Sequence, residues 1–176
     1  LLLQVVQGYS PSQAGWMLAP IAVGALVTKP LVTRIVKRFG YRKTLAGNTL
    51  LIGINIMLLS QLNQTTPIWL SVPFLTFMGA CNSLQFSTMN TISIARLRPS
   101  QTSSGNSLLS VNQQLAISFG IGFGAMLLHL LTPARASLAQ TQTAFSYSFI
   151  ILGIMTILSG LYFLRLHRFD GKGLYQ

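Results

Sequence analysis

The chain has 176 residues, of which only 7% are charged and 51% are hydrophobic. Soluble domains carry about 25% charged residues, so this composition excludes an ordinary soluble domain and indicates a surface covered by lipid. The formal net charge is +11, but the basic residues lie between long apolar runs and not along one polar face. This distribution argues against nucleic-acid binding and favours the basic loops of a membrane protein.

Long uncharged stretches predict membrane-spanning helices, each of which needs about 20 apolar residues. The stretch 44–95 is too long for one helix and is interrupted by the polar cluster 63–67, so we expect two spans there. The predicted elements are a partial span at 1–6, full spans at 14–35, 44–62, 68–93, 106–131 and 144–166, and a cytoplasmic tail at 167–176. The predicted fold is therefore an all-α integral membrane protein, a helix bundle with five full spans and the end of a sixth.

The start of the chain has the character of an internal segment. It opens with Leu1, Leu2 and Leu3, without an initiator Met or a basic leader region. The first apolar segment is too short to cross a bilayer. We therefore expect this chain to be a fragment of a longer protein, with the N-terminal half as its missing partner.

Charge in the connectors predicts the orientation of the helices. The connectors at 34–43 and 96–105 and the tail are basic, whereas the connector at 63–67 has no charge and the one at 132–143 has a single Arg. Basic and nearly uncharged ends alternate at every crossing, as the bias of Lys and Arg toward cytoplasmic loops requires. The C-terminus is therefore predicted to be cytoplasmic.

The residue types needed for catalysis or metal binding are scarce. Asp170 is the one carboxylate, and it lies in the tail. Cys81 is the one cysteine, and His129 and His167 are far apart in sequence. Neither a carboxylate pair for acid–base catalysis nor a Cys/His metal framework can be built from this set. We therefore expect no enzyme activity, no metal and no cofactor in this chain.

Uncharged polar residues are the candidates for function. Amides and serines recur at helical spacing from Ser103 to Ser118, which places them on one face of the 106–131 span. The 68–93 span carries a second stripe, formed by Asn82, Gln85, Met89 and Ser93, with Asn90 adjacent and Phe86 close by. The candidate cavity-lining residues are Asn82, Gln85, Asn90, Gln113 and Gln114. Two interpretations stay open, hydrogen bonding between helices and lining of a translocation cavity.

Glycines in the predicted spans suggest close helix packing. Gly120 and Gly124 are one helical turn apart, and Gly47, Gly53 and Gly79 lie in other spans. Small residues let membrane helices approach closely. We interpret these glycines as packing positions and not as ligand sites.

The basic loop after the first full span reads RIVKRFGYRK from Arg34 to Lys43. This loop resembles the cytoplasmic signature of the major facilitator superfamily, approximately G-x-x-x-D-R-x-G-R-R-K. The matching residues are Arg38, Gly40, Arg42 and Lys43. Lys37 stands where that signature has an acidic residue. The resemblance implies a cytoplasmic gating loop formed by the four matching residues.

Two further segments narrow the resemblance to the EmrB/QacA-type drug:proton antiporters. They are the segment 8–15, which is similar to that family's outer loop, and Gln114, Ser118 and Gly120, which match part of its penultimate-span pattern. The runs 38–42, 86–91 and 103–109 together most resemble the MdtD branch of that family. The resemblance implies an intact protein of 14 spans, of which this chain would supply the end of the ninth through the fourteenth. The proton-carrying carboxylates would then lie in the missing half.

The resemblance implies a secondary transporter in the bacterial inner membrane that exports small amphipathic substrates, with the proton gradient as its energy source. Its partners would be the lipid bilayer, the substrate and the rest of the same transporter. A facilitator for one specific metabolite and a non-transporting scaffold subunit are the alternatives. Export by the full-length protein would distinguish them.

Overall fold

The computed structural model describes residues 10–61, 68–95, 97, 101–133 and 137–165. These residues form only helices, which confirms the predicted all-α fold: α1 (Pro11–Met17), α2 (Ala19–Leu59), α3 (Ile68–Ile94), α4 (Thr102–Leu131) and α5 (Leu138–Phe163). The partial span predicted at 1–6, the connector 63–67 and the tail 167–176 lie outside the described residues. Among those described, Pro11–Leu59, Thr102–Leu131 and Leu138–Phe163 are long and apolar enough to cross a membrane.

Helix α2 consists of two helical arms joined at Gly40. The backbone of Gly40 is not helical, with φ 76° and ψ 160°, so the arms are 19–39 and 41–59. The basic connector predicted between two spans is therefore helical on both sides of a single residue. Lys and Arg are good helix formers, so the run of cations does not end the helix and only the glycine does.

Two helix starts follow directly from local sequence. The Ser10 hydroxyl accepts a hydrogen bond from the Gln13 backbone N–H, and the Ser10 backbone N–H donates to the Gln13 side chain, with Pro11 at the first helical position. Ser137 and Gln140 form the same reciprocal pair at the start of α5. These capping boxes satisfy N–H groups that the first helical turn leaves unpaired.

Helix α3 runs antiparallel to the arm 41–59. The amide of Asn48 donates to the Cys81 carbonyl at 2.8 Å. One to two turns further along the arm, Asn55 donates to the carbonyl of Phe74, which is earlier in α3, at 3.5 Å. The order of partners is reversed, as expected for helices joined by a short connector.

The arm 19–39 runs in the same direction as α3 and lies very close to it. A Cβ on Gly24 would overlap the carbonyl of Thr76, and a Cβ on Gly79 would overlap the carbonyl of Ile21. The Ser83 hydroxyl donates to the Ala25 carbonyl at 3.0 Å in the same contact. Two glycines from opposite helices thus let the backbones meet, as small residues do in membrane bundles.

Helix α5 packs antiparallel on the other side of the arm 41–59. A Cβ on Gly53 would lie 2.9 Å from the Gly153 carbonyl oxygen, and a Cβ on Gly153 would lie 2.8 Å from that of Gly53. The Ser146 hydroxyl donates to the Ser60 carbonyl at 2.9 Å. The arm 41–59 is therefore the central helix, and α3 and α5 flank it.

Helix α4 is sparsely covered by the other described helices, since none of its residues is buried. An added Cβ at Gly120, Gly122 or Gly124 would meet nothing within 4 Å among the described residues. The packing contact predicted for Gly120 and Gly124 is thus not found among the described residues, and the same holds for Gly47 of the arm 41–59, whereas Gly53 and Gly79 do pack as predicted. Most of the surface of α4, including most of its polar residues, is therefore open among the described helices.

Candidate functional site

A hydrogen-bonded polar cluster joins the arm 41–59 to α3. The Asn48 side-chain amide donates to Gln85 Oε1 at 2.9 Å as well as to the Cys81 carbonyl. Gln85 Nε2 in turn donates to Thr49 Oγ1 at 2.8 Å. Asn48, Thr49 and Cys81 are buried. The predicted site residue Gln85 therefore takes part in bonding between helices.

The same face of the arm carries acceptors that the described residues do not satisfy. Three buried oxygen atoms have no hydrogen-bond partner among the described residues: Asn48 Oδ1, Asn55 Oδ1 and Thr44 Oγ1. Buried polar groups without partners are uncommon because their desolvation is not compensated. The contact between the arm 41–59 and α3 is therefore rich in buried polar groups.

A second amide pair marks the crossing of α3 and α4. Gln113 Nε2 donates to Asn90 Oδ1, and both side chains are half-buried. Nearer the helix ends, Gly105 faces the side chain of Leu97, which would overlap a Cβ at that position. The two predicted site residues Asn90 and Gln113 thus bond to each other across this crossing.

The remaining predicted amides, Asn82 and Gln114, are exposed. Asn82 shares its stripe on α3 with Phe86 and Met89, which are 55% and 40% exposed. Asn82 is about 12 Å along α3 from Asn90, and Gln114 directly follows Gln113. Asn82 and Gln114 are therefore open amides on neighbouring helices, Asn82 about two turns along α3 from the crossing and Gln114 next to it in sequence. We name the exposed side chains Asn82, Phe86, Met89 and Gln114, taken from the two helices, the open polar face.

The open polar face combines hydrogen-bonding amides with an aromatic ring and a flexible thioether. Amides can orient a polar group, whereas Phe and Met side chains adapt to apolar surfaces of varied shape. The four residues of this face carry no formal charge. The arrangement can therefore bind a molecule with both polar and apolar parts by contact and hydrogen bonding.

An apolar cavity of about 400 Å³ lies elsewhere, between α3, α4 and α5. Gly120 and Gly124 line it from α4, and Phe145 and Phe149 line it from α5. None of the five predicted amides is among its lining residues. The cavity and the open polar face are therefore separate features.

The predicted gating loop is a tight basic turn around Gly40. Arg38 and Lys43 are exposed and Arg42 is half-buried. The Arg38 guanidinium lies 5.7 Å from the centre of the Phe39 ring. Tyr41 is buried beneath the turn and anchors it to the bundle. The structure brings the four predicted residues together, and their role in gating stays a prediction.

Replacing Gly40 with alanine should destabilise this turn by about 1–3 kcal/mol, because the backbone conformation of Gly40 is available essentially to glycine alone. An added Cβ would meet no atom within 4 Å, so the cost would come from the backbone. The thermal unfolding midpoint of the full-length protein in detergent measures this effect. Gly47→Ala is the control, since Gly47 is helical and equally uncrowded. An unchanged midpoint for Gly40→Ala would contradict the described turn.

These features define the class of protein. Long apolar helices run in alternating directions, and the described Lys and Arg residues other than Lys29 lie at one end of the bundle. This is the organisation of a polytopic α-helical membrane protein. The profile of the Major Facilitator Superfamily matches residues 2–174. The chain therefore belongs to the major facilitator superfamily, and the resemblance predicted from the sequence is confirmed.

Within that family, the chain is similar to bacterial transport proteins. It is 36% identical to the multidrug resistance protein MdtD of Pectobacterium atrosepticum over 94% of this chain and 36% of the relative. The identity and both coverages are the same for MdtD of Escherichia coli. It is 32% identical to the transport protein HsrA of Haemophilus influenzae over 99% of this chain and 38% of the relative. The chain thus spans little more than a third of the length of these relatives. No solved structure matches it.

Some of the polar contacts had no signal in the sequence. The bond from Ser83 to Ala25 and that from Gln85 to Thr49 join residues far apart in the chain. Serine and threonine are common in membrane helices and often bond to their own helix, as Thr28 does to Gly24. Only the relative rotation of two packed helices distinguishes the bridging hydroxyls from the others.

Proposed function

We propose that this chain forms part of the translocation domain of a secondary transporter that exports small amphipathic compounds in exchange for protons. The open polar face carries this proposal. In an apolar helix bundle, an amide that faces lipid is costly, so exposed amides on α3 and α4 indicate contact with water, substrate or further helices. The relatives named as multidrug resistance proteins support an amphipathic substrate.

The coupling of export to protons follows from the family resemblance and not from residues of this chain. The sequence has a single acidic residue, Asp170, which follows the last described helix in the sequence. A carboxylate that carries protons within the membrane must then be supplied by the rest of the transporter. In this proposal the chain contributes substrate contacts and the basic turn, and its partner half contributes the proton sites.

The basic end of the bundle supports a cytoplasmic position for that turn and for the C-terminus. Arg34, Lys37 and Arg38 precede Gly40, and Arg42 and Lys43 follow it. Arg165 lies at the same end, two residues after the last residue of α5. The opposite end has no Lys or Arg among the described residues. Lys and Arg are retained on the cytoplasmic side of bacterial inner membranes. The turn would then open and close the cytoplasmic side of the transport path.

The test is export of a fluorescent amphipathic dye by cells that express the full-length protein. We expect less dye accumulation, with the difference abolished by a protonophore. Asn82→Leu and Gln114→Leu should each reduce export roughly tenfold, the effect of losing about 1.4 kcal/mol of substrate hydrogen bonding.

The matched control is Asn112→Leu. Asn112 is exposed on the same helix as Gln114, but two positions away and so on the opposite side. This substitution should leave export unchanged. The proposal fails if the full-length protein does not alter dye accumulation, or if the protonophore has no effect. Competition by one class of metabolite, without competition by cationic drugs, would instead support a specific facilitator.

A further inference from the structure

The basic turn at Gly40 lies at the depth of lipid headgroups. The arm 19–39 is about 31 Å long at 1.5 Å per residue, close to the roughly 30 Å of a bilayer's hydrocarbon core. Lys29 is the one cation between residues 19 and 33 of this arm, and the others lie at 34–38, close to the turn. Arg38, Arg42 and Lys43 therefore stand where apolar helix meets the membrane surface.

Arg165, just beyond the end of α5, lies at the same depth as the basic turn. Gly160 of α5 faces Thr49 and the carbonyl of Ala46 on the antiparallel arm 41–59. Arg165 follows Gly160 by five residues, or about 7.5 Å, and Arg42 precedes Ala46 by four residues, or about 6 Å. Arg42 on the arm 41–59 and Arg165 just beyond the end of α5 thus lie at matching depth.

Helix stability does not explain the cations that follow Gly40. Arg42 and Lys43 occupy the first turn of the arm 41–59, where the helix dipole disfavours positive charge. The 176-residue sequence contains only one acidic residue with which they could pair. Exposed Lys43 and half-buried Arg42 therefore hold positive charge at an unfavourable place without a matching set of carboxylates in the chain.

We propose that Arg42, Lys43 and Arg165 bind the phosphate of an anionic phospholipid, with phosphatidylglycerol as the representative headgroup. An Arg guanidinium can hold two phosphate oxygens at once, and Lys43 adds a point charge beside it. The apolar surfaces of the arm 41–59 and α5 below these residues would contact the acyl chains. Charge complementarity selects an anionic lipid as the occupant.

Lipid binding can be measured without transport, so this proposal and the transport proposal can fail separately. The experiment is native mass spectrometry of the purified full-length protein, titrated with phosphatidylglycerol or with phosphatidylcholine of the same acyl chains. We expect phosphatidylglycerol to bind at least fivefold more tightly, since each Lys or Arg near a surface contributes about a fivefold gain in affinity for anionic lipid.

The variants locate the site. Arg42→Gln should weaken phosphatidylglycerol binding about fivefold, and the double change with Arg165→Gln about thirtyfold, with phosphatidylcholine binding unchanged. Arg42→Lys should retain most of the affinity. Lys29→Gln is the charge-matched control, because Lys29 lies eleven residues, or about 16 Å, along the arm 19–39 from the turn at Gly40 and should have no effect. If Arg42→Gln does not fold, Lys43→Gln at the exposed neighbour tests the same expectation.

Three results would overturn the proposal. The first is equal affinity for the two lipids. The second is an effect of Lys29→Gln as large as that of Arg42→Gln, which would indicate a general charge effect and no site. The third is displacement of phosphatidylglycerol by an equal concentration of glycerol phosphate, which would indicate a site for a soluble anion.

Discussion

Replacing Gly24 with alanine should force the arm 19–39 away from α3 and lower the thermal stability of the protein. The added methyl group would overlap the carbonyl of Thr76 and lie 3.0 Å from the Ala80 nitrogen. These are backbone atoms of a helix, so they cannot rotate away as the end of a side chain could. The helices would have to move apart, which would also break the hydrogen bond from Ser83 to Ala25.

Overpacking of this kind costs about 1–3 kcal/mol or more, and here the loss of the interhelical bond adds to it. Gly79→Ala should have a similar effect, because its methyl group would overlap the Ile21 carbonyl on the same contact. Size-exclusion chromatography of the heated full-length protein measures the remaining monodisperse fraction. We expect the thermal midpoint to fall by several degrees for either variant.

Gly120→Ala and Gly122→Ala are the matched controls for this experiment. Both glycines are helical and exposed, and an added Cβ would meet nothing within 4 Å in the described part of the chain. Wild-type behaviour of Gly24→Ala together with loss of folding in Gly120→Ala would show that the described contact is wrong. Loss of folding in both would indicate that further helices of the full-length protein cover α4.

Replacing Gln85 with leucine should loosen α3 from the arm 41–59 by about 1–3 kcal/mol. The change removes two bonds, the one that Gln85 accepts from Asn48 and the one that it donates to Thr49. Hydrogen bonds between membrane helices contribute about 0.6 kcal/mol on average and up to about 1.7. Asn48 would keep its bond to the Cys81 carbonyl, so the helices should remain associated but open more often.

Cys81 provides a local probe of that opening. It is the one cysteine of the chain, and its side chain is only 4% exposed, in the contact that Gln85 stabilises. A maleimide can reach the thiol only when the helices separate, so Gln85→Leu should increase its labelling rate by roughly fivefold or more for each kcal/mol lost. Mass spectrometry of the peptide that contains Cys81 identifies the labelled residue.

Asn82→Leu is the control for Gln85→Leu, because Asn82 is exposed on the same helix. It should leave Cys81 protected while it reduces export, whereas Gln85→Leu should expose Cys81. If Gln85→Leu reduces export but leaves Cys81 labelling unchanged, Gln85 contacts substrate and the bonding cluster is not its main role. The pair of variants thus separates the two interpretations that the sequence left open for these amides.

The sequence alone was sufficient for the fold class and the family. Hydropathy and charge are properties of consecutive residues, and a helix in lipid must satisfy its own backbone hydrogen bonds, so apolar stretches specify helices locally. The basic turn was also visible, because Gly40 and its neighbouring cations form a short contiguous motif. The sequence did not show that the connector around Gly40 has only one non-helical residue, because Arg and Lys are good helix formers as well as markers of cytoplasmic loops.

The tertiary structure decided which polar residues bond to a neighbouring helix and which remain open. Gln113 bonds to Asn90 whereas the adjacent Gln114 is exposed, although the two have the same side chain. Gly79 packs tightly and Gly120 does not, although both are glycines in apolar helices. Helical periodicity gives the angle between residues on one helix, but the rotation of that helix toward its neighbours is set by close contacts such as that of Gly24 with Thr76. Those contacts join residues distant in the chain, and no local pattern records them.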